Sequence, residues 1–124
     1  MNPRTTNMQK VYHLSTCDTC KRILRTLDLP NSFVKQDIKK EEITVKQLEA
    51  LKELSGSYEA LFSKRAKLYK ERNLKDEKLT ERDFKNLILE HYTFLQRPVI
   101  VNNNEIFIGN SSKTVEAAKE SIKK

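Results

Sequence analysis

Two thiols stand three residues apart in the stretch Val11-Tyr12-His13-Leu14-Ser15-Thr16-Cys17-Asp18-Thr19-Cys20-Lys21-Arg22-Ile23-Leu24, and the chain has no other cysteine. A pair at that spacing can do dithiol chemistry, in which one sulfur attacks and the second resolves the mixed disulfide. The residues before Cys17 are β-rich, and those after Cys20 are basic and helix-forming. A thiol placed where a strand hands over to a helix faces the unpaired N–H groups of the helix start. That positive end favours the thiolate. Cys17 comes first, at the junction, and is the expected nucleophile. Cys20 lies one turn into the helix on the same side and is the expected resolving thiol.

Three further residues bear on that chemistry. His13, four positions before Cys17, can favour a thiolate as an imidazolium, or be a histidine with no chemical part. Arg97 stands directly before Pro98. Its guanidinium can grip an oxyanion with two parallel hydrogen bonds, or be an ordinary surface arginine. The Arg97–Pro98 bond can be cis or trans as far as the residues themselves say. His91 reads as a packing residue or a helix C-terminal residue, where a cation is favoured. A zinc site needs four ligands. His13 and His91 could complete a set, but there is no second cysteine pair, so no metal is expected.

The elements that must position these groups are legible from periodicity. Lys10–Leu14 alternates and reads as a strand. Asp18–Asp28 carries Ile23, Leu24 and Leu27 on one helical face, with Pro30 as its stop. Phe33–Ile38 reads as a second strand. Thr44-Val45-Lys46-Gln47 resembles a capping box, followed by Leu48, Leu51 and Leu54 and closed by Gly56. Tyr58, Leu61, Phe62, Leu68 and Tyr69 mark a further helical stretch. Thr80-Glu81-Arg82-Asp83 opens another, with Phe84, Leu87 and Ile88 inward. Pro98–Val101 and Glu105–Ile108 flank Asn102-Asn103-Asn104, a hairpin signal. Ser111 or Ser112 caps a last helix containing Val115, Ala118 and Ile122. The order is β-α-β, then helices, then β-β-α. It predicts an α/β chain with a thioredoxin-like core, split by a helical insertion from about residue 44 to 95.

At 124 residues the chain is expected to form one domain over residues 1–124, with residues 1–8 frayed. Charged residues make up 33% and the net charge is +7, which raises the question of nucleic acid. The basic residues alternate with acidic ones, as in Lys39-Lys40-Glu41-Glu42 and Lys70-Glu71-Arg72. That interleaving reads as solvated helix faces, so direct nucleic-acid binding is not expected. No apolar run approaches the roughly 18 residues of a membrane span. The N-terminal residues lack the hydrophobic stretch of a signal peptide. A cysteine pair without such a signal suits a reducing cytoplasm, the expected location.

Taken together, these residues resemble the arsenate reductase family of thioredoxin-fold proteins, which also contains the Spx-type transcription regulators. Tyr12-His13-x-x-x-Cys17 resembles the family's entry to its active-site loop. Glu90-His91, then Leu95-Gln96-Arg97-Pro98-Val99-Ile100-Val101, resembles its most specific stretch, and Phe107-Ile108-Gly109 the end of its hairpin. The resemblance implies that Arg97 binds a substrate oxyanion and that Pro98 is cis and shapes the cysteine pocket. The family's arsenate reductases use one cysteine and three arginines. Cys17 and Arg97 match the cysteine and the central arginine. With Tyr69 setting the register, Arg65 matches an arginine common in the branches that do not act on arsenate. The other two arsenate-binding arginines fall on Ser63 and Asn110.

The resemblance thus implies a thiol oxidoreductase with Cys17 as nucleophile, Cys20 and His13 in support, and Arg97, Arg65 and Pro98 at the substrate. Its reductant would be glutathione with glutaredoxin, or thioredoxin, with no bound cofactor. Its substrate would be a small thiol or oxyanion, arsenate itself being doubtful. The alternative is a non-enzymatic, redox-responsive regulator of the Spx type that binds the α subunit of RNA polymerase, since Cys-x-x-Cys is shared with that branch.

Overall fold

A computed structural model describes residues 8–123. Residues 1–7, most of the expected frayed leader, lie outside the described residues. The chain divides into two compact units, one made of residues 1–41 with 97–124 and the other of residues 42–96.

The first unit is built on a four-stranded sheet of order β2-β1-β3-β4. Its elements are β1 (Gln9–His13), α1 (Asp18–Leu27), β2 (Val34–Asp37), β3 (Val99–Asn102), β4 (Glu105–Ile108) and the last helix, Ser112–Lys123. β1 and β2 run parallel, as a strand–helix–strand crossover requires, and His13 lies opposite Asp37. β3 is antiparallel to β1 and pairs Val99 with Tyr12. β3 and β4 form a hairpin whose last pair is Asn102 with Glu105. The two loop residues are Asn103 and Asn104, and Asn103 takes a φ of 59°, a left-handed conformation that asparagine tolerates. One face of the sheet is covered by α1 and the last helix. Val11, Ile23, Leu27, Phe33, Ile100 and Ala118 form its core, with Val115 and Ile122 packed against them. The expected β-α-β / β-β-α arrangement with a helical insertion is the one observed.

The second unit is the helical insertion. It holds α2 (Val45–Ser55), α3 (Lys67–Glu71) and α4 (Glu81–Glu90), so the last helix of the chain is α5. Both longer helices of this unit start with capping boxes. Thr44 Oγ1 accepts from the Gln47 N–H at 3.1 Å while Gln47 Oε1 accepts from the Thr44 N–H at 3.0 Å. Thr80 and Asp83 repeat the arrangement. Gly56 closes α2 at a φ of 93°, the left-handed region that favours glycine.

The single helical stretch expected over Tyr58–Tyr69 is broken. Glu59–Leu61 form one 3-10 turn, Phe62 is extended, and α3 begins only at Lys67. Tertiary packing explains the break. Phe62 pairs with Leu95 as an isolated bridge. The Ser63 N–H donates to Phe94 O and the Gln96 N–H to Leu61 O, both at 2.8 Å. The Phe62 ring lies 4.8 Å from that of Phe84, 5.4 Å from Phe94 and 5.9 Å from Tyr69. Its apolar neighbours are spaced as in a helix, but their partners are far away in sequence. His91 sits at the end of α4, where its Nδ1 accepts from the Thr93 N–H at 3.0 Å and caps the turn Tyr92–Phe94.

Candidate functional site

β1 ends at His13, and the next four residues turn the chain into α1. The Cys17 N–H donates to Leu14 O at 3.0 Å, and the Lys21 N–H returns to Cys17 O at 3.1 Å. Cys17 is therefore the N-cap of α1, in extended geometry at φ −95° and ψ 114°. At the starts of α2 and α4 this position is held by Thr44 and Thr80, whose oxygens cap their helices directly. Cys17 makes no such cap bond as a thiol. The unfilled helix start is better satisfied by an anion, which a thiolate supplies.

The two sulfurs are driven apart in acidity. Burial pushes the half-buried Cys17 thiol up. The Cys20 N–H, the Cys20 thiol, the Thr19 N–H and the Arg97 charge outweigh it, and the balance falls below the ordinary thiol value. Cys20 is only 1% exposed. Burial raises its pKa to about 11; the Leu14 N–H opposes the rise, whereas the charge of Cys17 and the hydrogen bond to it add to it. Cys17 is the thiol that ionises first, and Cys20 stays protonated as a hydrogen-bond donor to it. Both thiols are free.

Arg97 is half-buried, and its charge lowers the pKa of both cysteines. The Arg97–Pro98 bond is cis, as the resemblance implies. Pro98 is buried, and its carbonyl accepts from the Gly109 N–H at 3.0 Å. His13 is held differently from the expectation of an imidazolium. Burial lowers its pKa, the Asp37 charge opposes that, Lys35 adds to it, and the net direction is down. Below its ordinary value an imidazole is neutral at pH 7. Arg65 is an exposed residue of the turn before α3, in the unit of residues 42–96. The thiol site itself is built wholly from the other unit.

Two residues of the site escape a reading of the sequence. The Ser15 hydroxyl donates to Asp37 Oδ2 in a short hydrogen bond, and the Ser15 N–H donates to Oδ1 at 3.4 Å. The Lys39 N–H also donates to Oδ1, at 3.1 Å. Asp37 thus joins the end of β2 to the loop that carries Cys17. Its only signal in the sequence is an acidic residue at the end of a predicted strand. Among the described residues no group of three or more histidine, cysteine or acidic side chains could hold a metal, and no helix is long and apolar enough to cross a membrane.

The ArsC family model matches residues 12–118, nearly the whole chain. The chain belongs to the ArsC family. Among curated proteins, the global transcriptional regulator Spx 2 of Bacillus anthracis is 25% identical over 111 residues, which cover 87% of this chain and 84% of that one. Among solved structures, an arsenate reductase from Vibrio cholerae is 26% identical with a TM-score of 0.67, covering 92% of this chain and 98% of its own. An ArsC-family-related protein from Bacteroides fragilis has a TM-score of 0.72 at 22% identity, covering 91% of this chain and 99% of its own. The family match spans the thiol site and the helical insertion alike.

Proposed function

We propose that this ArsC-family chain is a cytoplasmic thiol oxidoreductase in which Cys17 is the nucleophile and Cys20 the resolving thiol. The observation that carries the reading is the N-cap position of Cys17, with the Thr19 and Cys20 N–H groups and the Arg97 charge favouring its thiolate. The Cys17 thiolate attacks one sulfur of a mixed disulfide. An S–S bond forms to Cys17, the old S–S bond breaks, and the other sulfur leaves as a thiolate that takes up a proton. Cys20 then loses its proton and attacks Cys17, which releases the second thiol and leaves a Cys17–Cys20 disulfide. Two electrons and two protons from glutathione with glutaredoxin, or from thioredoxin, restore the dithiol. Arg97 holds the anionic part of the substrate. The resemblance adds Arg65 to that task and Pro98 to the shape of the cysteine pocket; His13, with its pKa lowered by burial, is not assigned the imidazolium role.

The substrate favoured by this reading is a glutathione-type mixed disulfide rather than arsenate. Ser63 and Asn110 stand where the family's arsenate reductases carry arginines. Each missing charge-assisted hydrogen bond costs about 1.5–3 kcal/mol. Two of them correspond to a loss of roughly a hundredfold or more in rate.

A second reading, a redox-responsive regulator, is supported by the Cys-x-x-Cys pair together with the 25% identity to a protein named as a transcriptional regulator. Steady-state turnover separates the two. With glutathione and glutaredoxin, or with thioredoxin, the chain is expected to reduce a glutathionylated substrate at least a hundredfold faster than arsenate, and Cys17→Ser to abolish it. Absence of Cys17-dependent turnover, with oxidation-sensitive binding to the C-terminal domain of the polymerase α polypeptide, would overturn the enzyme reading in favour of the regulator.

A further inference from the structure

The loop that presents Cys17 is only four residues long and has one anchor outside its own strand and helix that links it to β2. That anchor is Asp37. Its carboxylate takes both donors of Ser15, the hydroxyl on Oδ2 and the N–H on Oδ1. Asp37 is itself fixed from three sides. It lies opposite His13 in the β1–β2 register. The next residue, Ile38, donates its N–H to His13 O at 2.9 Å. The Asp37 carbonyl accepts from the N–H groups of Lys40 at 3.1 Å and Glu41 at 2.8 Å. A group so held is a rigid post, and Ser15 is tied to it two residues before the nucleophile.

We infer that Asp37 is the positioning residue for Cys17, acting through Ser15 to hold the sulfur against the N–H groups at the start of α1. The inference rests on the reading of Cys17 as the reactive thiolate. A through-space role for the carboxylate is the wrong sign for this task. A negative charge near Cys17 opposes the thiolate, so Asp37 as a mere charge raises the pKa of the thiol. Asp37 as an anchor lowers it, because helix-dipole and N–H stabilisation fall off steeply when the sulfur leaves the first turn. The titratable group facing this carboxylate is His13 on β1, and Lys35 on β2 acts on His13 in turn. Arg97 is the cation acting on the sulfur.

The opposite signs make the test decisive. The rate of iodoacetamide alkylation is followed against pH for the full chain, with mass spectrometry resolving Cys17 from Cys20. Asp37→Asn keeps the shape and an acceptor for the N–H donors of Ser15 and Lys39 but loses the charge, and with an NH2 in place of Oδ2 it loses the charge-assisted bond that the Ser15 hydroxyl donates, leaving at most a weaker neutral bond to that hydroxyl. Ser15→Ala loses the same bond without changing any charge. Both are expected to raise the apparent pKa of Cys17 by at least about half a pH unit, a roughly threefold loss of alkylation rate below the pKa. Ser15→Thr, which keeps the hydroxyl, is expected to behave as the parent. A Cys17 pKa that does not rise in Ser15→Ala, whatever Asp37→Asn does, would overturn the anchoring role. Should Asp37→Asn fail to fold, the contrast between Ser15→Ala and Ser15→Thr decides alone. A parent chain whose Cys17 titrates at the ordinary thiol value of about 8.5 would instead overturn the thiolate reading, and the inference with it.

Discussion

Gln9 and His13 are the first and last residues of β1, and the polar groups gathered around them are used in opposite ways. At the Gln9 end, Gln9 Nε2 donates to Asn102 Oδ1 at 3.0 Å. Asn102 Nδ2 donates to Ser121 Oγ at 2.9 Å and to Ser121 O at 3.3 Å. The Ser121 hydroxyl passes its own proton toward Glu105 Oε1 at 2.8 Å. Donors and acceptors match in sequence, so β1, β3, β4 and α5 are tied by one chain of hydrogen bonds around two buried residues, Asn102 and Ser121. At the His13 end, the groups around Cys17 are a neighbouring thiol, helix N–H groups and a half-buried guanidinium. The first cluster is complete as it stands and makes the sheet specific. The second is arranged to favour a negative charge on an atom that solvent still reaches.

The largest effect that probes this contrast is on stability. Asn102→Ala leaves the Ser121 hydroxyl and the Gln9 amide without their buried partner. Urea unfolding is expected to show a loss of about 1–3 kcal/mol. The apparent pKa of Cys17 should stay where it was, since no element between the two ends needs to move. A Cys17 shift comparable to that of Ser15→Ala would show that the two ends are one coupled unit.

These two clusters are unequally legible in the sequence. Cys17 and Cys20 stand out by type, spacing and a strand-to-helix context, all of which are local. So do the capping boxes at Thr44 and Thr80 and the asparagine loop of the β3–β4 hairpin. Neither the Gln9–Asn102–Ser121–Glu105 chain nor the Ser15–Asp37 anchor has a local signature. Gln9 and Asn102 are 93 positions apart, and Ser15 and Asp37 are 22 apart. Only the strand register brings them together. The Tyr58–Tyr69 region misleads for the same reason in reverse. Its apolar spacing imitates a helix, while the residues that Phe62 meets, Phe84, Phe94 and Leu95, come from beyond the local window. His13 is legible in position but not in charge, because burial, which lowers its pKa, is a tertiary property.

A smaller effect separates the two thiols. The Cys20 thiol donates to Cys17 and lowers its pKa. Cys20→Ala removes that donor and is expected to raise the Cys17 pKa by about one unit, which is roughly 1.4 kcal/mol of thiolate stabilisation. Cys20→Ser keeps a donor at the same place and is expected to shift it by less than half as much. The measurement is the pH dependence of Cys17 alkylation in the three chains. No shift in either variant would mean that the helix N–H groups and Arg97 carry the effect without the neighbouring thiol.

The smallest effect is the dependence of folding on alkaline pH, and its sign differs for the two sulfurs. Cys17 ionises more readily in the folded chain than in the unfolded one. Its contribution to stability is therefore full above the unfolded thiol pKa and is lost as pH falls through the lower, folded value. Cys20 runs the other way, since its folded pKa is raised to about 11. Its contribution is full below the unfolded value and is lost as pH climbs from there through about 11. Tyr12, pushed up to about 12 chiefly by burial, adds a loss of the same sign at still higher pH. The Cys20 part is isolated in a Cys17→Ser background, by subtracting the urea-unfolding free energy of Cys17→Ser with Cys20→Ser from that of Cys17→Ser alone at each pH, because Tyr12 and the lysines are common to both and no Cys17 titration remains. That difference is expected to be flat from about pH 7 to 8 and to fall by on the order of 1 kcal/mol by about pH 9.5. A difference that rises with pH over this range would mean that Cys20, not Cys17, is the thiol that the fold prefers to ionise, and the assignment of nucleophile and resolving thiol would have to be exchanged.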